Sequence, residues 1–465
     1  MDKYIDLIEQ TFYFPTDEFK VVDNKLHFNN VDLMPIIEQY GTPLKLTYLP
    51  KISSQIQKAK KLFADAIEKF DYQGTYTYCY CTKSSHFEFV LDEALKNDIH
   101  IETSSAFDIQ IVKTLFAKGK ITKDTFIVCN GFKRPTYTQY ISEILNDGFN
   151  CIPVLDNLKE INRYEELVNK DIQVNFGMRL AADEEPKFEF YTSRLGIRYN
   201  DVVDLYKTKI ENNPNFKLKL LHYFINTGIK DTSYYWSELS RFVEMYCELK
   251  KINPDLDTID IGGGFPIKTS VHFDYDYTYM VEQIVKMVQR ICKENDVPTP
   301  NLMTEFGSFT VGESGAMLLN ILDQKLQNDK ELWYMIDSSF ITALPDTWGL
   351  NQKFILLAVN NWDKNYRKVN VGGLTCDSQD YYNSESHTYN VFLPKFDENV
   401  EKQYIGFFHT GAYQESLGGY GGIQHCLIPA PKHVLIQKDD EGNITSELFA
   451  KEQDYDSMLK ILGYK

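Results

Sequence analysis

Lys83 stands in the run Cys-Thr-Lys-Ser-Ser, directly after the apolar stretch Thr75–Tyr80. A lysine at the rim of a sheet or barrel can form a Schiff base once its amine sheds a proton; a solvated loop lysine is the other reading. The run Asp-Ile-Gly-Gly-Gly-Phe-Pro from Asp260 sets three glycines, with Gly263 and Gly264 last, after another buried stretch. Such glycines let backbone N–H groups approach a phosphate, or simply make a flexible turn. Thr-Glu-Phe-Gly ends a further apolar run and supplies Glu305 and Gly307. A carboxylate at a strand end is costly without a cation or proton donor facing it, and a protonated pyridine nitrogen is such a partner. Asn226 and Thr227 follow Leu-His-Tyr-Phe-Ile and offer polar groups to a phosphate, while His222 within that run reads as a core histidine. Thr-Cys-Asp-Ser-Gln-Asp, Thr375–Asp380, pairs a thiol that could deliver a proton with a carboxylate that could hold an amine; a turn capped by aspartates is the alternative. Tyr413, in Gly-Ala-Tyr-Gln-Glu, either reaches a phosphate or packs.

Placing these residues together requires a regular scaffold. Short apolar or β-branched runs recur at Thr75–Tyr80, Ile99–Glu102, Thr125–Cys129, Cys151–Leu155, Val174–Met178, Lys219–Ile225, Thr258–Ile261 and Leu302–Glu305. Helix-like stretches alternate with them, among them Phe87–Lys96, Ala106–Ala117, Pro135–Asn146 and Tyr235–Lys250. Strands alternating with helices imply a parallel sheet, and eight units suffice to close a (β/α)₈ barrel. In such a barrel, function collects on the loops after the strands, where Lys83, Gly264 and Glu305 stand. Beyond about residue 310 strand-like runs follow one another: Leu332–Ile336, Phe354–Val359, Lys368–Val371, Tyr404–His409 and His433–Gln437. The expected organisation is α/β: an N-terminal segment (residues 1–40) that is neither barrel nor helix and joins the β domain, a barrel (41–310) and a C-terminal β-rich domain (311–465).

Bulk properties narrow the function. The net charge of −17 disfavours nucleic acid as a partner. No stretch approaches the length of an apolar membrane span, and the opening Met1–Asp6 lacks the basic-then-apolar pattern of a signal peptide. The eight cysteines include a Cys79-x-Cys81 pair but no Cys-x-x-Cys, so neither a metal site nor a disulfide framework is expected, and a reducing cytoplasm fits.

In order along the chain, Tyr-Cys-Thr-Lys (80–83), Asn-Gly-Phe-Lys (130–133), Ser-Arg-Leu-Gly (193–196), Asp-Ile-Gly-Gly-Gly (260–264), Cys-Asp-Ser (376–378) and Gly-Ala-Tyr (411–413) resemble the fold type III pyridoxal-phosphate decarboxylases. These alanine racemase-like enzymes act on ornithine, diaminopimelate and arginine. Leu-Pro-Asp-Thr-Trp-Gly-Leu-Asn-Gln-Lys-Phe, within Phe340–Phe354, is similar to a stretch of biosynthetic arginine decarboxylases. The resemblance implies pyridoxal 5′-phosphate as cofactor, Lys83 as its Schiff-base lysine and Glu305 on its ring nitrogen. It also implies Phe224 on the ring, Thr227, Gly263, Gly264, Gly307, Ser308 and Tyr413 at the cofactor, Cys376 as proton donor, and Asp377 and Asp380 at the cationic end of a basic amino acid. The implied reaction is decarboxylation of L-arginine to agmatine in polyamine biosynthesis, by a homodimer whose Cys-Asp segment enters the partner's site.

Three positions depart from the family pattern. Phe224 replaces a histidine, Asn226-Thr227 replaces Gly-Ser, and Ser308 replaces an arginine that would make a charge-assisted phosphate contact. Decarboxylation of carboxyspermidine, carboxynorspermidine, diaminopimelate or ornithine therefore stays open, as does a non-catalytic relative.

Overall fold

The structure, a computed structural model, describes residues 3–4, 17–183, 192–439 and 441–465. Of the opening segment Met1–Asp6, only Lys3 and Tyr4 are among them. The chain divides into two compact units: Ser53–Pro266 with Tyr275–Thr310, and Met1–Ile52 with Ile267–Asp274 and Val311–Lys465.

Strands are numbered in chain order: β1 Phe19–Val22, β2 Lys25–Phe28, β3 Val31–Asp32 and β4 Leu44–Tyr48 precede the barrel. The barrel unit holds β5 Tyr76–Cys81, β6 His100–Thr103, β7 Ile127–Cys129, β8 Cys151–Leu155, β9 Val174–Arg179, β10 Phe216–His222, β11 Thr258–Asp260 and β12 Asn301–Phe306. They form a closed, parallel eight-stranded barrel, with β12 returning to β5 (Leu302 opposite Tyr76, Phe306 opposite Tyr80). All eight expected runs are barrel strands, within a few residues. The sixth ends at His222 rather than Ile225, because the chain turns away there towards Gly228, which has φ +79°. Cys79, Val128, Ile152, Val154, Leu220 and Met303 fill the interior as one apolar cluster.

Local chemistry explains the helices between strands. Ser105 and Asp108 form a reciprocal capping box that starts Ala106–Ala117. Pro135 opens Pro135–Asn146 at a position where a missing N–H costs nothing. Asp276 caps Tyr277–Glu294, whose Met280, Val281, Ile284, Val285, Val288 and Ile291 recur at helical spacing and are buried.

The other unit is built on a ten-stranded sheet. Its strands are β13 Gly315–Leu326, β14 Leu332–Ile336, β15 Ile355–Ala358, β16 Tyr366–Gly372, β17 Tyr381–Tyr382, β18 Val391–Pro394, β19 Tyr404–Phe408, β20 Lys432–Lys438 and β21 Ile444–Ala450, together with β4. The N-terminal β4 lies between β13, antiparallel to it, and β20, parallel to it. The expectation that residues 1–40 hold no helix is corrected. Leu33–Tyr40 is helical, capped by Asp32, which accepts the N–H of Met34, and it buries Leu33, Ile36 and Ile37. Its Pro35 falls in the first turn, where it breaks no hydrogen bond.

Candidate active site

Because the barrel strands are parallel, their C-terminal ends share one rim. Lys83 lies just past β5 in a single 3-10 turn, Thr82–Ser84, with its side chain 45% exposed. Its Nζ is 3.2 Å from Oε2 of Glu102, a fully buried carboxylate within β6. The same oxygen accepts a hydrogen bond from Cys81 Sγ at 2.7 Å, and Ser104 Oγ donates to the other at 2.8 Å. Burial works against the Glu102 charge, but Lys83 and the donors Cys81 and Ser104 overcome it and hold the carboxyl below its ordinary value. Burial also opposes the Lys83 ammonium; Cys81, Glu102 and Glu305 outweigh it and raise its pKa. Burial keeps Cys81 itself a neutral thiol, so the charge that holds Lys83 is that of Glu102.

Across the rim, the ends of β10, β11 and β12 bring His222, Asp260 and Glu305 within 4.8 Å of one another. His222 Nδ1 is 3.1 Å from Asp260 Oδ2, and its Nε2 is 4.0 Å from Glu305 Oε2. Asn130, just after β7, donates to Glu305 Oε1 at 2.6 Å. Burial pushes every member of the trio towards its neutral form. Asp260 rises to about 7 and His222 falls to about 4. Glu305 rises well above its ordinary value, from burial first and then from the nearby Asp260.

Two glycine-containing loops press together beside this trio. A Cβ on Gly264, at φ +119°, would lie 2.8 Å from the Cα of Gly228, and one on Gly263 would lie 2.3 Å from the carbonyl oxygen of Glu305. A Cβ on Gly307 would meet the Cβ of Ser84 at 3.0 Å, so that glycine brings the β12 loop against the Lys83 turn. The backbone N–H groups of Gly263, Gly264 and Gly307 find no acceptor among the described residues. Ser308 begins the short helix Ser308–Val311, and Thr227 lies half-buried in the turn ending at Gly228. Phe224 is 41% exposed, 3.6 Å from where a Gly262 Cβ would stand, with the Arg179 guanidinium 5.9 Å from its ring centre.

The structure thus brings Lys83, Phe224, Thr227, Gly263, Gly264, Glu305, Gly307 and Ser308 onto the C-terminal ends of one barrel. Glu102, Asn130, Arg179 and Asp260 join them without having been singled out from the sequence. Asn130 and Asp260 lie inside the motifs Asn-Gly-Phe-Lys and Asp-Ile-Gly-Gly-Gly. Glu102 and Arg179 each end an apolar run, the signal that marked Glu305.

The remaining candidates lie in the β-rich unit. Cys376 is exposed, its Sγ 3.7 Å from that of Cys426. That neighbouring sulfur is the main cause raising the Cys376 thiol above its ordinary value. Asp377 Oδ1 accepts from the indole N–H of Trp348 at 3.4 Å. Trp348 belongs to the helix Pro345–Leu350, and Gln414 Nε2 donates to Asp346 of that helix at 2.8 Å. Asp380 is buried, and its oxygens accept the backbone N–H of Phe340 and of Thr375 and the hydroxyl of Thr375. Its carboxylate therefore shapes the loop that carries Cys376 and Asp377. Tyr413 precedes the helix Gln414–Gly418 with φ +68°, a backbone region uncommon for a bulky residue and often met at functional positions.

The profile of the family described as "Pyridoxal-dependent decarboxylase, pyridoxal binding domain" matches residues 49–312, more than half of the chain. The chain belongs to this family. The decarboxylase is 21% identical to the biosynthetic arginine decarboxylase of Shewanella loihica, over 87% of this chain and 81% of the relative. It is 21% identical to arginine decarboxylase 2 of Arabidopsis thaliana, over 86% and 70%. Among solved structures it matches the biosynthetic arginine decarboxylase of Campylobacter jejuni with a TM-score of 0.81 at 19% identity, covering 100% of this chain and 91% of that one. It matches the diaminopimelate decarboxylase of Helicobacter pylori complexed with L-lysine with a TM-score of 0.73 at 15% identity, covering 93% and 100%. The fold is that of the fold type III pyridoxal-phosphate decarboxylases: a (β/α)₈ barrel with a β-rich sheet domain.

The barrel rim fits pyridoxal phosphate on its own evidence. Glu305 is a buried acid whose neutral form persists for want of a facing cation. Asn130 Oδ1 and Arg179 Nε are buried with no hydrogen-bond partner among the described residues. The glycine loops offer unpaired N–H donors of the kind that hold an anion. Among the described residues, no helix is long and apolar enough to cross a membrane.

Proposed function

We propose that this decarboxylase removes the α-carboxylate of L-arginine, giving agmatine and carbon dioxide, as a cytoplasmic homodimer. The observation that carries the arginine reading lies in the β-rich unit. The segment resembling arginine decarboxylases, Leu-Pro-Asp-Thr-Trp-Gly, forms the helix whose Trp348 hydrogen-bonds Asp377. The curated relatives named arginine decarboxylase, which cover most of the chain, support the same reading.

When bound, pyridoxal phosphate supplies an electron sink for the pair left on Cα as carbon dioxide departs. Lys83 would hold it covalently, and Glu102, 3.2 Å from Nζ, fixes that side chain at the rim by ion pairing. Glu305 would pair with the ring nitrogen and favour its protonated form. Gly263, Gly264, Gly307 and Ser308, and in the family's arrangement Tyr413, would hold the phosphate, Thr227 would add a hydroxyl, and Phe224 would stack on the ring. Ser308 in place of an arginine leaves this shell to backbone dipoles rather than a guanidinium. Cys376, kept a neutral thiol, returns a proton to Cα, and Asp377 grips the guanidinium in bidentate fashion while Trp348 fixes its orientation. Asp380 positions both by holding their loop. In the family's arrangement Cys376 and Asp377 act on the site of a second copy.

The test is a side-by-side assay of carbon dioxide release from L-arginine, L-ornithine, L-lysine, diaminopimelate and carboxyspermidine. Arginine should give the highest kcat/KM, and Asp377→Asn should raise the KM for arginine at least ~10-fold, as loss of a charge-assisted pair does. A preference for diaminopimelate or carboxyspermidine would overturn the arginine reading but leave the decarboxylase itself in place.

A further inference from the structure

Three clusters of metal-ligating side chains occur among the described residues. His222, Asp260 and Glu305 belong to the active site. Glu18, Glu313 and His409 are already neutralised: Lys51 Nζ lies 2.5 Å from Glu18 and 3.1 Å from Glu313, and Lys268 Nζ lies 3.2 Å from Glu18. A cation there would have to displace two ammonium groups.

The third cluster, Cys376, His425 and Cys426, differs from both. Every member is exposed, and among the described residues none is paired with a lysine or arginine. The two sulfurs are 3.7 Å apart, and Cys426 Sγ is 3.2 Å from His425 Nδ1. A tetrahedral zinc ion with ~2.3 Å bonds to sulfur separates two thiolates by ~3.8 Å. The sulfur spacing thus already matches one edge of a zinc tetrahedron. It is nearly twice the ~2.05 Å of a disulfide bond. The backbone helps: Cys426 and Leu427 both have φ +54°, a conformation that L-residues other than asparagine and aspartate rarely adopt. It is in this bend that the Cys426 sulfur and the ring of the preceding His425 meet. The donor set of two soft sulfurs and one imidazole selects zinc(II) or a similarly thiophilic cation over magnesium or calcium.

We propose that Cys376, Cys426 and His425 form a Cys₂His site for zinc(II), and that filling it stops decarboxylation by taking Cys376 out of use. Binding breaks two S–H bonds, forms two zinc–sulfur bonds and one zinc–nitrogen bond, and releases two protons to solvent. Two thiolates neutralise the dication, and a fourth position remains for water. The inhibitory half rests on the role given above to Cys376; the binding half does not.

The experiment uses the full chain, loaded with pyridoxal phosphate, freed of metal by a chelator and kept reduced by a phosphine. Cobalt(II) is titrated in as a spectroscopic stand-in for zinc. One equivalent per chain should produce the thiolate charge-transfer and intense tetrahedral ligand-field bands, which zinc then abolishes. Cys426→Ser and His425→Ala should each weaken binding ~100-fold or more, a lost ligand costing at least what a lost supporting contact does. The eight cysteines comprise six buried and two exposed, so zinc should also protect two fast-reacting thiols per chain from a thiol reagent. Without metal, His425→Ala should decarboxylate at the wild-type rate. Zinc should inhibit the wild type, reversibly by chelator, and spare His425→Ala. Absence of the cobalt bands, or variants that bind as wild type does, would overturn the site. Stoichiometric binding without inhibition would overturn the regulatory half alone. Binding by a protein that decarboxylates none of the five amino acids would uphold the site and sink the proposed function instead.

Discussion

Burial and the neighbouring Asp260 raise the Glu305 carboxyl far above the ordinary range, so without a cation facing it the group keeps its proton. A pyridinium placed there restores the charge and gains a hydrogen-bonded ion pair in a dry setting. Glu305→Gln retains the shape and the contact with Asn130 but cannot stabilise the ring proton. The variant should keep its bound cofactor, seen as visible absorbance, while kcat falls on the order of 100-fold or more. Wild-type turnover in that variant would show that Glu305 is only structural. Glu305 was legible in the sequence because it ends an apolar run and has a glycine two residues on. Glu102 and Arg179 end such runs too, but a single charged residue at a strand end looks the same as a solvated edge. Only closure of the barrel turns those edges into one rim. Cys426 was illegible for another reason: fifty residues separate it from Cys376, and no local pattern joins them.

At the scale of elements, the barrel strands were readable because each is a short apolar run bounded by turn residues. The strand β13 was not. Its first half, Gly315–Leu319, is buried on both faces, so the alternation that marks a half-exposed strand is missing. The sheet also holds a titratable group whose effect on stability can be measured. Glu385, between β17 and β18, is buried, and its Oε1 accepts the N–H of Leu356 in β15. Burial raises its pKa from the ordinary 4.5 to about 8. Below 4.5 both folded and unfolded chains hold this proton, and the group's full contribution to stability is present. Between 4.5 and about 8 the unfolded chain ionises while the folded one does not, so stability falls as pH rises, on the order of 5 kcal/mol in all. Urea unfolding at pH 5 and pH 9 should show a smaller loss for Glu385→Gln than for wild type. Equal losses would mean that Glu385 ionises normally in the folded chain.

For the whole molecule, the proposed homodimer builds each site from two chains, one giving Lys83 and Glu305 and the other giving Cys376 and Asp377. Lys83→Ala and Cys376→Ala should each be inactive alone. Mixed under conditions that exchange subunits, they form dimers of which about half are hybrid, and one site in each hybrid carries neither lesion. Activity should return to about a quarter of wild type; no recovery despite demonstrated exchange would place each site within one chain. The position of β4 also has a consequence for how the protein is made. β4 leaves the ribosome well before its neighbours, which begin at residue 315 on one side and residue 432 on the other. Until those segments emerge, β4 is an apolar edge with no partner, whereas every barrel strand is available by Phe306. Synthesis at roughly 5–20 residues per second would leave that edge open for tens of seconds, a window in which a holdase should be found on the nascent chain.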